Sequence, residues 1–153
     1  MKTVFIGADH AGYKAKEEIK KALGGEYKFV DMGTDSEESV DYPGYGKKVA
    51  EKVASDKDSL GVLVCGSGIG ICIAANKVKG IRCGLAWSAE SARSAREHNN
   101  AQIISVAGRM PMMESPANIV RAFLEAKPST EERHARRVKQ MMEMEQKDDY
   151  DAC

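Results

Sequence analysis

Leu60-Gly61-Val62-Leu63-Val64-Cys65 runs directly into Gly66-Ser67-Gly68-Ile69-Gly70 and then Ile71-Cys72-Ile73-Ala74-Ala75-Asn76, and this stretch decides the fold class. Its first six residues are apolar without alternation, the pattern of a strand covered on both faces. Three glycines interrupt the run, and the apolar stretch beyond them reads as a helix ending near Asn76. Strand, glycine turn and helix open a crossover unit, and crossovers join parallel strands.

The same alternation extends in both directions. Thr3–Ala8, rich in Val, Phe and Ile, reads as a buried strand. The next segment sets Ala15, Ile19, Ala22 and Leu23 on one face and lysines and glutamates on the other, giving a surface helix stopped by Gly24-Gly25. Residues 27–32 form a second strand and 33–39 a polar loop, and Asp41-Tyr42-Pro43 leads into a helix reaching about Ala54. Residues 81–86 and 102–107 are the fourth and fifth strands, with helices expected over 89–97 and 116–126 and a last one from about Thr130. Such alternation calls for a parallel sheet with helices on both faces, one α/β domain over residues 1–146 and a polar tail over 147–153. The last helix carries Val138, Met141, Met142 and Glu145 at near-helical spacing, a stripe that fits its own domain or a second subunit equally well.

The chain has 153 residues, 42% of them hydrophobic, enough for a single core. Its 23 basic and 23 acidic side chains cancel, so no strong field draws nucleic acid or an anionic membrane, and a small-molecule ligand is expected. No apolar run approaches the roughly 18 residues of a membrane span, and the N-terminal run is too short for a signal peptide. The four cysteines contain no C-x-x-C pair, so reduced thiols and a cytoplasmic location are expected.

In open parallel sheets ligands collect at the carboxyl ends of the strands. There fall Asp9 and His10 after the first strand, Cys65 and the glycine loop after the third, and Arg109 after the fifth. The loop lets successive N–H groups converge at a helix N-terminus, a cradle for an oxyanion or phosphate. It is neither a Walker loop, lacking Gly-Lys-Ser/Thr, nor a dinucleotide fingerprint, since Ile71 stands where a glycine is wanted. An arbitrary cysteine is usually a structural thiol, but Cys65 adjoins a helix N-terminus, which favours its thiolate. A phosphatase nucleophile would want an arginine at 71, so a general base is the better role. His10 following Asp9 is a plausible ligand for a hydroxyl or phosphate. His98 sits near a helix C-terminus, where the dipole favours its protonated form, and Asn99-Asn100 reads equally as a helix stop. Arg133 and Arg137 share a helix face, where solvated arginines are the plainer reading. The histidines and cysteines lack metal-ligand spacing, so no metal or cofactor is expected.

Together these residues resemble the type B ribose-5-phosphate isomerases and their relatives acting on six-carbon sugar phosphates. The resemblance is carried by Gly7-Ala8-Asp9-His10-Ala11-Gly12, Asp41-Tyr42-Pro43, Cys65 to Gly70, Ala74-Ala75-Asn76-Lys77 and Gly80-Ile81-Arg82. Glu97-His98-Asn99, Gly108-Arg109 and Arg133-His134 with Arg137 continue it in family order.

The resemblance implies a Rossmann-like three-layer α/β/α sandwich with a five-stranded parallel sheet. It also implies a homodimer or dimer of dimers whose sites are shared between subunits. The family divides by its base, Cys at position 65 or Glu at the position of Ile71, and this chain resembles the cysteine branch. Aldose and ketose phosphates interconvert through an enediolate, for which Cys65 is expected to move the proton. Ser67 and the amides of Gly66, Gly68, Ile69 and Gly70 would steady the oxyanion, and the resemblance gives ring opening to His98. Asp9 and His10 would orient hydroxyls with Tyr42 and Asn99 nearby, and Arg109, Arg133 and Arg137 would hold the phosphate. An isomerase for allose or galactose 6-phosphate is the nearest rival, and a non-catalytic sugar-phosphate sensor a more distant one.

Overall fold

The computed structural model describes the backbone of residues 1–151 and the side chains of residues 1–145. Five strands, β1 (Thr3–Ala8), β2 (Lys28–Asp31), β3 (Leu60–Cys65), β4 (Cys83–Leu85) and β5 (Ile103–Ala107), form one parallel sheet in the order β2-β1-β3-β5-β4. Between and after them come α1 (Tyr13–Leu23), α2 (Tyr42–Ser55), α3 (Ile69–Asn76), α4 (Ala89–Asn99), α5 (Pro116–Glu125) and α6 (Glu132–Asp151). This is the expected three-layer α/β/α sandwich.

The unbroken apolar run of β3 has its cause in this layering. All six residues are buried. Val62 and Val64 join Val4, Ile6, Ile104 and Val106 beneath α1, α4 and α5, where Ile19, Leu23, Ile119 and Phe123 close the core. Leu63 and Cys65 face the opposite layer, against Val49 and Val53 of α2 and Ile71 of α3. Each large aliphatic side chain so covered contributes about 1.5–3 kcal/mol. Local chemistry starts the helices on the first core: Ser88 and Ser91 make a capping box for α4, and Ser115 accepts from the Asn118 N–H, with Pro116 beginning α5.

Several boundaries and faces differ from the sequence reading. β2 and β4 are shorter than expected, and α6 begins at Glu132. On α1, Ala22 is exposed, whereas Lys16, assigned to the solvent face, is 1% exposed. Its ammonium reaches Asp31 at the end of β2 and Glu17 on its own helix, so paired charge replaces water. Residues 147–151, read as a tail, continue α6, while 152 and 153, including Cys153, lie outside the described residues. Three of the four α6 stripe residues meet their own chain: Val138 lies beside His98, Met142 Sδ accepts from Arg82, and Glu145 accepts from the Gly80 N–H, while Met141 is exposed.

The strand order places a topological switch between β1 and β3. From β1 the chain passes through α1 outward to β2; from β3 it passes through α3 toward β4 on the other side. The two departures open a crevice beyond the carboxyl ends of β1 and β3, where ligands bind in open sheets.

Candidate active site

The parallel register lines up the residues at that crevice. Ala8 pairs with Val64 and Cys65 with Ala107, so Asp9, Cys65 and Ala107 stand abreast at the carboxyl edge. Backbone bonds extend the alignment beyond the strands: Asp9 N donates to Val64 O at 3.3 Å, Gly108 N to Cys65 O at 2.8 Å, and Arg109 N to Gly66 O at 3.0 Å.

Around the thiol the glycine loop folds as its composition demands. Cys65 Sγ accepts from the Gly68 N–H at 3.1 Å, placing sulfur on an amide at the N-terminus of α3. Gly68 has φ 76°, and a Cβ there would lie 2.9 Å from the Val106 carbonyl group, so a larger residue meets both strain and collision. Ser105, buried in β5, donates its hydroxyl to Gly68 O at 2.6 Å and pins the loop from below. Ser67 Oγ accepts from the Ile69 N–H at 3.1 Å. Ile71, which excluded the nucleotide motifs, is fully buried core.

The flanking residues are held by their own contacts. Asp9, 5% exposed, accepts the Gly12 N–H through Oδ1 at 3.0 Å. His10 Nδ1 sits 3.1 Å from the Val40 nitrogen and 3.2 Å from its oxygen; when Nδ1 accepts from that amide, Nε2 carries the ring proton. Tyr42 opens α2, and its ring lies against Gly70, where a Cβ would approach to 2.5 Å. The exposed Arg109 follows Gly108 beyond the end of β5. Thus Asp9, His10, Tyr42, the whole span from Cys65 to Gly70, and Arg109 gather at one edge.

His98, Asn99, Arg133 and Arg137 gather at the other. α4 starts past the carboxyl end of β4 and runs back to the amino end of β5, so its last residues lie at the amino edge. There Arg82, just before β4, donates to Asn99 O and Asn100 O at 3.0 and 2.8 Å. α5 returns to the same edge, and Ser129 N donates to Glu97 O before α6 begins. The His98 and His134 rings stack with centroids 4.4 Å apart and planes at 9°, beside a cavity of about 280 Å³ that Val138 and Lys139 also line. His134 was absent from the expected site set, and its stacking partner lies 36 positions away in sequence, beyond any local signal. Partial burial, the neighbouring His98 and Arg133 hold its imidazole below the ordinary 6.5. Arg133 pairs with Glu131, and Arg136 with Glu132 one turn back. Among the described residues no group of three or more His, Cys, Asp or Glu side chains is arranged to hold a metal.

A thiol on an amide cradle at the switch point of a parallel α/β sheet defines the ligand-binding edge of a Rossmann-like enzyme. Comparison with known proteins gives the particular group. The family model described as Ribose/Galactose Isomerase matches residues 4–141, so the chain belongs to that family, and it is an isomerase. It is 45% identical over 144 residues to ribose-5-phosphate isomerase B of Mycobacterium leprae, covering 93% of this chain and 89% of that one. Galactose-6-phosphate isomerase subunit LacB of Clostridium acetobutylicum is 43% identical over 125 residues, with 81% and 72% covered. Among solved structures, ribose-5-phosphate isomerase B of Clostridium thermocellum superposes with TM-score 0.89 at 43% identity over 95% of this chain and 98% of that one. The Mycoplasma genitalium enzyme, solved with bound ribulose-5-phosphate, gives 0.87 at 36% identity, with 94% and 96% covered.

Proposed function

We propose that this chain interconverts ribose 5-phosphate and ribulose 5-phosphate through an enediolate, within the non-oxidative pentose phosphate pathway. The observation that carries the reading is the Cys65 thiol seated on the Gly68 amide at the switch-point crevice. In the forward direction the Cys65 thiolate takes the proton from C2 of the open-chain aldose. The C–H electron pair forms the C1–C2 double bond, and the carbonyl electrons move to O1. Amides of the glycine loop and the Ser67 hydroxyl steady that oxygen; the O2 proton passes to O1, and the Cys65 thiol returns its proton to C1 as the C2 carbonyl of the ketose forms. Asp9, His10 and Tyr42 orient the hydroxyls, and no metal or cofactor enters the scheme.

Ring opening needs a second proton carrier, and His98 lies at the far edge of its own chain. We therefore assign His98 and Asn99 to the site of a second copy, with a homodimer as the smallest working unit. Exposed apolar residues support the pairing: Ile69 and Ile73 lie one turn apart on α3, Leu85 ends the edge strand β4, and Trp87 follows it. Leu85 touches the Gly68 position and so borders the glycine loop. Arg109 of one copy, with Arg133 and Arg137 brought by the second copy alongside His98, holds the phosphate. Cytoplasmic location is part of the same reading, in keeping with free Cys65, Cys72 and Cys83, and no described helix is long and apolar enough to cross a membrane.

The direct test incubates purified protein with ribose 5-phosphate and follows ribulose 5-phosphate. Turnover that vanishes in Cys65→Ala supports the proposal. Turnover of a six-carbon sugar phosphate with none of ribose 5-phosphate would overturn the substrate, and unimpaired Cys65→Ala would overturn the base.

A further inference from the structure

The amino edge of the sheet holds a second concavity, separate from the Cys65 crevice and from the His98–His134 cavity. It encloses about 680 Å³ and is lined in part by Lys2, Arg82 and Arg96. Its charge balance is unusual for a half-buried place. Arg96 gives Nη1 to Asn100 Oδ1 and the Ala101 carbonyl at 2.6 and 3.1 Å, while its Nε is buried with no hydrogen-bond partner. Arg82 spends its donors on Asn99 O, Asn100 O and Met142 Sδ, all uncharged. Among the described residues, none of the three cations has a carboxylate within ion-pair distance.

Proteins rarely bring like charges together in a half-buried space without an opposite charge to meet them, because each raises the cost of the others. That cost is visible here. Burial and then the Arg82 charge hold the Arg96 guanidinium below its ordinary range; burial and then Arg96 do the same to the Lys2 ammonium. Lys57 and Lys79 also line the space, against the carboxylates of Asp56 and Asp58, and Asp58 partly offsets the effect on Lys2. Glu145 stands near Arg82 and accepts the Gly80 N–H. Among the described side chains, Lys79 aside, Lys2, Lys57, Arg82 and Arg96 face Asp56, Asp58 and Glu145, and that sum is cationic.

We propose that this concavity is an anion site for the phosphate of a small phosphorylated metabolite, with the Arg96 guanidinium and the Lys2 ammonium as its principal cations. A doubly charged anion suits three cations around one space, and planar guanidinium nitrogens match phosphate oxygens. The volume leaves room for a sugar-sized body beside the phosphate. The site takes a ligand without chemistry: neither thiol nor imidazole of the proposed reaction lines it.

The test is calorimetric titration of the full chain with inorganic phosphate, ribose 5-phosphate and unphosphorylated ribose. It is run in an Arg109→Ala/Arg133→Ala/Arg137→Ala background, so that the phosphate contacts proposed for the substrate site are removed. One phosphate per chain should bind, with ribose silent; tighter binding of ribose 5-phosphate would mark a phosphosugar, and equal binding the free ion. Lys2→Met should weaken it about three- to tenfold, and because Lys2 is exposed and its bond from the Lys28 N–H is to the backbone carbonyl, which the substitution keeps, the fold should be untouched. Asp58→Asn should tighten it by a similar factor, an outcome that structural damage does not produce. Arg96→Gln should weaken it most. Absence of phosphate binding in that background, or affinity indifferent to both Lys2→Met and Asp58→Asn, would overturn the site.

Discussion

Mixing two inactive variants should restore activity. Cys65 closes β3 at its carboxyl end, and six residues at about 3.3 Å each put the amino edge roughly 20 Å away. α4 spans the same gap independently: eleven residues at about 1.5 Å each give roughly 16 Å from Ala89 to His98 and Asn99. Proton transfer needs about 2.6–3.2 Å, or one intervening water, so Cys65 and His98 of one chain cannot serve one sugar. If each site takes Cys65 from one copy and His98 from another, Cys65→Ala and His98→Asn homodimers are both crippled. Equimolar co-refolding makes about half the dimers mixed. Each mixed dimer has one site with both defects and one with neither, so the mixture should recover about a quarter of wild-type activity. Co-expression with distinct tags, purification of the mixed dimer and the ribulose 5-phosphate assay would measure it. A mixed dimer no more active than the better parent would refute the shared site, and with it the role given to His98.

Other expectations rest on local geometry. Arg133→Ala or Arg137→Ala should raise KM for ribose 5-phosphate roughly ten- to hundredfold, the equivalent of about 1.5–3 kcal/mol for a hydrogen bond to a charged group, while Arg136→Ala, which loses only the exposed pair with Glu132, should be nearly silent in the same assay. Gly70→Ala should impair turnover while leaving the melting temperature within a few degrees, because the added Cβ drives the half-exposed Tyr42 ring from the loop; unchanged kinetics would remove Tyr42 from the site. Gly12→Ala should cost about 3 kcal/mol in denaturant unfolding, since its Cβ would fall 2.3 Å from the Val64 carbonyl oxygen in the middle of the fold. His134 has its folded pKa below the ordinary 6.5, so the unfolded chain binds the proton more readily, and the His134-dependent stability is present above pH 6.5 and declines as pH falls through the folded value. His134→Gln should flatten that acid limb in thermal melts, and an unaltered limb would assign it to other groups.

Much of this molecule is written in short-range pattern. β3 could be read from its sequence because a strand buried on both faces leaves an uninterrupted apolar run, and the parallel sheet followed because each strand is succeeded by a helix. The thiol and its cradle were equally legible, since strand, glycines and helix start are contiguous and one turn of chain determines where their N–H groups point. Asp9, His10 and Arg109 reached the same edge by a topological rule that needs only their positions after strands.

What lay outside that pattern depends on which distant segments meet. The periodicity of α1 put Lys16 in water, but Asp31 of β2 closes over it, and only strand pairing brings that carboxylate there. The α6 stripe could face its own domain or another, because amphipathic spacing states that a face is covered and not by what; Gly80, Arg82 and His98 supply the cover. Above all, helix reversal carried His98, Arg133 and Arg137 to the edge opposite Cys65. Residue spacing along a chain sets local direction, whereas the separation of two catalytic candidates is the length of the strands and helices between them. Their chemical types were therefore determined by the sequence alone, and their division between two edges by the tertiary structure.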